Sequence, residues 1–174
     1  MEIQNIEKWM IQGRGNIIPV LSNVAASIHQ FLIENGFEVN WCGFYFVNFD
    51  KSALVLANFA VGKPACVRLN LKGDILGVCA QGFLNGTQVV PDVHKVPGHI
   101  ACDDASQSEL VVPLENGNGQ VIGVLDIDSP VKGTFDSENQ KSANAIAKIE
   151  HFIENLGQNP ELTNSWSQFL RLFK

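Results

Sequence analysis

The sequence has no Cys-x-x-Cys pair, no excess of positive charge and, on first reading, no apolar run that approaches membrane-spanning length. Each absence closes off a class. Without paired cysteines there is neither a thioredoxin-like motif nor a zinc knuckle. Twelve Lys and Arg against 18 Asp and Glu give a formal charge of −6. Such a surface repels phosphate backbones and argues against a nucleic-acid partner. The lack of a long apolar run argues against a membrane protein. The opening "MEIQNIEKWMIQGRG" carries early acids and no apolar core, which argues against a secretory leader. A cytoplasmic chain is therefore expected, with reduced thiols. Its four cysteines are then catalytic, metal-binding or simply buried, rather than structural disulfides. No internal repeat or low-complexity segment breaks the chain.

What is present suits one domain. A chain of 174 residues, 45% hydrophobic, can bury a real core. "NIIPVLSNVAASIHQFLIENGF" has helical apolar spacing and stops at Asn35-Gly36. "VNWCGFYFVN" and "ALVLANFA" read as strands around a turn at Asp50-Lys51. "GKPACVR" reads as a short strand or connector, and "ILGVCAQGFLNG" as a short helix ending at Asn85-Gly86. "TQVVPDV" is a brief strand stopped by Pro91. "ELVVPL" and "QVIGVLDID" are strands joined by "ENGNG", a link so short that the pair must be antiparallel. Ser137 with Gln140 predicts a capping-box start for a helix closed by Gly157. "PELTNSWSQFLRLF" predicts a final amphipathic helix. The expected class is α+β, an antiparallel sheet with helices grouped on one face.

The hairpin makes a stronger prediction. A four-residue loop at Asn116–Gly119 would set Glu109 opposite Asp126. A register shift of two would keep the same faces, whereas a five-residue loop would not. Asp128 shares a face with Asp126 because strand side chains alternate with period two. Three adjacent acids repel one another, and burial would leave at least one protonated near neutrality. Such a cluster is either a solvated acidic face or a site for a cationic group with a carboxylic acid able to donate a proton. Calcium is a poor alternative, because the oxygen-rich loop it needs is missing.

Residues 92–108 form a polar connection long enough to suggest function. Cys102 sits there among Ser, Asp and His, where a core residue makes little sense. His94 and His99 are candidate bases or ligands, though loop histidines more often satisfy hydrogen bonds. A zinc site from these histidines and Cys102 is one alternative. Cys42, inside an aromatic strand, reads as core filler. Trp41 and Tyr45 share a strand face across Gly43, as core packing or as an aromatic wall for a small ligand.

Together "NWCGFYFV", "PACVRL", "DVHKVPGHIACDDASQSELVVPL" and "VIGVLDIDSP" resemble the free methionine-(R)-sulfoxide reductases, which are single-domain GAF proteins. The resemblance covers residues 14–156 as a GAF-like catalytic domain, leaving 1–13 as an N-terminal segment and 157–174 as a C-terminal helical extension. It implies an antiparallel sheet flanked by helices, an oxidoreductase needing no metal and no cofactor, a homodimer, and recycling by thioredoxin. It also implies roles. Cys102 would attack the sulfoxide, Cys66 would resolve the resulting sulfenic acid, and Cys79 matches the third family cysteine. Glu109, Asp126 and Asp128 would bind substrate and supply the proton, with Trp41 and Tyr45 as aromatic pocket residues. "NLKGDILGVCAQG" is longer and less glycine-rich than the family's usual approach to its middle cysteine. The alternative is a non-catalytic GAF module that senses a small molecule or redox state; acids would repel a cyclic nucleotide there.

Overall fold

A computed structural model describes residues 16–97, 99, 103–160 and 162. Helix α1 (Ile17–Glu34) leads into strands β1 (Trp41–Val47), β2 (Ala53–Val61) and β3 (Arg68–Asn70). Helix α2 (Val78–Asn85), β4 (Gln88–Val90) and a 3₁₀ turn at Val93–Lys95 follow. Strands β5 (Ser108–Glu115) and β6 (Val121–Ser129) and helix α3 (Gln140–Gly157) complete the described elements. One six-stranded sheet runs β3-β2-β1-β6-β5-β4, and every neighbouring pair is antiparallel.

Ile17, Val20, Leu21, Val24, Ala25, Ile28 and Leu32 form the buried stripe of α1, at helical spacing. Asn16 caps its first turn through the Ile18 amide. One sequence expectation needs correction here. This segment does reach 18 residues with a mean hydropathy of 1.3, long and apolar enough to cross a membrane by composition alone. In the fold its apolar stripe is spent on the core instead.

β1 is buried along its whole length because both faces of the sheet are covered there. Cys42 faces α1, donating to the Ala25 carbonyl at 3.5 Å, and is wholly buried as filler. Ile127 and Leu110 stand beside it in the ladder and share that face. α3 joins α1 there: its Gly157 lies on Leu114 and Glu115, and Lys141 donates to the Gly36 carbonyl. α2 covers the other face, against Val111. The expectation of helices on one face thus holds for two helices and fails for the third.

α3 also begins later than the capping box predicts. Asn139 is the cap, accepting from the Lys141 and Ser142 amides, while Asp136 accepts from the Glu138 amide in the preceding turn. The Asn carboxamide competes directly with Ser137 for the same role. Gly157 is the last helical residue rather than a left-handed cap. A Cβ there would collide with the Glu115 carbonyl, so glycine permits the close approach of helix to strand.

Gly43 solves a different packing problem. Trp41 folds over it and stacks on Tyr45 at 5.7 Å and on Phe59 at 5.8 Å between ring centroids. A Cβ on Gly43 would sit 2.5 Å from the Asn58 carbonyl oxygen and 2.6 Å from the Trp41 ring. Gly43→Ala should therefore destabilise the fold by about 1–3 kcal/mol, as overpacking does. Thermal melting followed by near-ultraviolet circular dichroism checks this; an unchanged melting temperature would refute the packing.

Candidate active site

The β5–β6 hairpin places three carboxylates on the α2 face. The loop from Asn116 to Gln120 has five residues, which alone would have turned Glu109 away from Asp126. A bulge at Ile122 offsets it: Glu115 pairs with Val121, but Leu114 pairs with Gly123. The net register is shifted by two from the four-residue loop, so the faces survive and the partners change. Glu109 stands opposite Asp128 rather than Asp126. Asp126 lies between Val111 of β5 and Gly43 of β1. The Asn116 side chain holds the loop by accepting from the Asn118 and Gln120 amides.

α2 brings a thiol onto this cluster. Gly82 lets the helix lie directly on Val111, where a Cβ would collide with the valine methyl. Cys79, on the first turn of α2, then reaches Glu109, its Sγ 3.8 Å from Oε1. Cys79, Glu109, Asp126 and Asp128 line a cleft of about 180 Å³, together with Cys66 and His99. Cys66 is half-buried on the connector between β2 and β3. Tyr45 donates to the Cys66 carbonyl at 3.0 Å, which ties that connector to β1.

The electrostatics are those of acids forced out of water. Burial, reinforced by Asp126 and Asp128, pushes Glu109 well above the usual carboxylate range. Burial, with Asp126 next, does the same to Asp128, and a Ser106 hydrogen bond only partly offsets it. Asp126 rises from 3.8 to about 6 through burial, tempered by hydrogen bonds from Cys79 and Glu109. Burial and the same carboxylates push the Cys79 thiol well up, so Cys79 is a thiol rather than a thiolate at neutral pH. His99 Nδ1 stands 3.6 Å from Glu109 Oε2, within ion-pair range. Burial lowers the His99 pKa and raises that of Glu109, both away from a charged pair.

The sequence-predicted residues separate into groups. Glu109, Asp126, Asp128, Cys66 and Cys79 converge on one cleft. Trp41 and Tyr45 stand on the same sheet face, paired with Asp128 and Val124, but are buried in the stack behind it. Cys102 lies outside the described residues, as do residues 1–13 and most of the proposed C-terminal helix. Asp103, the residue after Cys102, is described. The Ala105 amide and Lys63 hold its carboxyl below the usual range. His94 bonds to the Gln107 side chain, as a loop histidine commonly does. Sequence reasoning missed Ser106, which bonds to Asn40, and Lys72 and Ile75, which line the cleft. Ile75 is 66% exposed, an apolar side chain in a Gly/Asp-rich loop, and that mismatch was the available signal.

Comparison with known proteins settles the kinship. The chain is 40% identical to the free methionine-R-sulfoxide reductase of Escherichia coli (strain K12) over 145 residues, 83% of this chain and 82% of that one. The chain belongs to the free methionine-R-sulfoxide reductase family. The family's Saccharomyces cerevisiae member is 36% identical over 79% of this chain and 75% of its own. The Neisseria meningitidis enzyme, solved in complex with its substrate, superposes with a TM-score of 0.69 at 34% identity, covering 94% of this chain and 87% of that one. No protein-family model matches the chain. The fold is that of a GAF domain.

Proposed function

We propose that this chain reduces free L-methionine-(R)-S-oxide to L-methionine. The observation that carries the reading is the convergence of three buried carboxylates and two cysteines on one cleft, in a member of this family. A sulfoxide oxygen is a poor leaving group until protonated. A carboxylic acid that keeps its proton near neutrality supplies that proton, and burial favours the protonated form of Glu109 and Asp128. Asp126, ionised above about pH 6, is the group that holds the substrate ammonium. An amide nitrogen within a peptide carries no such charge, which accounts for selectivity towards the free amino acid. Trp41 and Tyr45, buried in the stack beneath the cleft, back the sheet face that carries the acids.

In the first half-reaction the Cys102 thiolate attacks sulfur. The sulfoxide oxygen passes in net to Cys102 as a sulfenic acid, and the thioether leaves. Sulfur in the substrate gains two electrons and Cys102 loses two. A second thiol then condenses with the sulfenic acid, forming a disulfide and releasing one water. We assign this to Cys66, which is half-buried and free, rather than to Cys79, whose thiol is buried and held neutral. An external dithiol returns the disulfide to two thiols by exchange. We assign thioredoxin as that reductant, a homodimer as the working unit and the cytosol as its place.

NADPH oxidation coupled through thioredoxin reductase and thioredoxin tests the proposal. Turnover is expected with free methionine-R-sulfoxide, and not with the S epimer or a peptide-bound sulfoxide. Equal rates with the peptide-bound sulfoxide would overturn the role of the acid cluster. No turnover by folded, reduced protein would overturn the activity.

A further inference from the structure

Three donor atoms of mixed chemistry converge on the cleft floor. Cys79 Sγ, a Glu109 oxygen and an Asp126 oxygen all lie within 4.8 Å of one another, and all three residues are buried. Around a tetrahedral zinc ion, with bonds of about 2.0–2.3 Å, ligand atoms lie roughly 3.3–3.6 Å apart. The Cys79 Sγ to Glu109 Oε1 distance, 3.8 Å, is already close to that.

A second observation is independent of the clustering. Glu109 Oε2 and Asp126 Oδ1 have no hydrogen-bond partner among the described residues, although Glu109 is 4% exposed and Asp126 7%. Buried oxygens of this kind are normally satisfied, and leaving them bare is costly. No Lys or Arg among the described residues forms an ion pair with any of the three acids. A divalent cation would give these oxygens a partner, displacing the protons that burial keeps on Glu109 and Cys79 in its absence.

We propose that Cys79, Glu109 and Asp126 form a reversible inhibitory site for a thiophilic divalent cation, Zn²⁺, which competes with substrate for the cleft floor. The sulfur selects zinc over magnesium or calcium, which prefer all-oxygen sites. Three protein ligands leave a fourth position to water, as in exchangeable zinc sites. Competition with substrate rests on the reductase reading of this cleft; metal binding itself does not.

The test titrates the reduced full-length chain with ZnCl₂ by calorimetry and with CoCl₂ by absorption spectroscopy. One Zn²⁺ per chain is expected. Co²⁺ should give a near-ultraviolet thiolate charge-transfer band and intense tetrahedral bands in the visible. The double variant Cys66→Ala/Cys102→Ala should keep these signals. Cys79→Ala should lose the charge-transfer band and bind Zn²⁺ at least about tenfold more weakly, with one of three protein ligands gone. Asp126→Asn and Glu109→Gln provide the same loss by a different route, and circular dichroism verifies that each variant folds. Absence of binding by folded protein overturns the site, as does a cobalt signal that follows Cys66 and Cys102. Equal binding of Mg²⁺ overturns the role of the thiol. In turnover assays Zn²⁺ inhibition should be relieved by raising methionine sulfoxide, and inhibition that is not relieved overturns the competition. Metal binding by a protein without any turnover would refute the reductase reading and leave the cation site standing.

Discussion

Cys102→Ser should remove all turnover of free methionine-R-sulfoxide, while Cys66→Ser should leave a single stoichiometric round intact. The two outcomes should differ because the proposed mechanism assigns the thiols to different steps. An alcohol at position 102 cannot attack the sulfoxide sulfur, so no methionine forms even when enzyme and substrate are mixed in equal amounts. A serine at 66 leaves the first step untouched and blocks disulfide formation, so the sulfenic acid accumulates. A burst of about one methionine per enzyme, followed by little thioredoxin-dependent turnover, is the expected record. A trapping reagent for sulfenic acids should label the Cys66→Ser protein after the burst. If Cys79→Ser shows that burst and Cys66→Ser cycles normally, the resolving role moves to Cys79. Normal cycling by Cys102→Ser would overturn the mechanism.

Asp126→Asn should lose activity and gain stability, and the gain should grow with pH. The ionised carboxylate proposed to hold the ammonium is gone, so kcat/KM should fall by roughly 30- to 5,000-fold, the loss of one partner of a buried charge pair. The stability effect follows from burial. In the folded chain Asp126 is raised from 3.8 to about 6, and Glu109 and Asp128 are raised as well. Between the two values the native state binds more protons than the unfolded chain, so stability falls as pH rises. The stabilising protonation is fully present below pH 3.8 and lost as pH passes about 6. For Asp126 the rise to about 6 corresponds to ~3 kcal/mol at most, or up to about 10 °C in melting temperature. The neutral amide resembles the protonated acid, so the variant should melt near the parent at pH 4 and well above it at pH 8. Equal melting temperatures at both pH values would show that Asp126 is not a buried charge.

The sequence determined by itself most of the elements and the membership of the acid cluster. α1 was legible in seven apolar residues at helical spacing, and Asn85-Gly86 marked the end of α2 because glycine takes the positive φ there. That Asp126 and Asp128 share a face follows from the two-residue period of any strand. The roles proposed for Cys102 and Cys66 rest on resemblance, since the acidic surroundings of Cys102 would by themselves suggest a poor thiolate.

Tertiary structure decided the pairings. The bulge at Ile122, which sets Glu109 against Asp128, depends on the closure of loop and ladder together and has no local signature. The approach of Cys79 to Glu109 depends on the absent side chain of Gly82, which has meaning only once α2 lies on Val111. The pKa of each acid was equally out of reach, because desolvation is a property of everything packed around a group. Periodicity and capping are short-range and are written along the chain. Register, close approach and burial arise between segments far apart in sequence, and only their packing determines them.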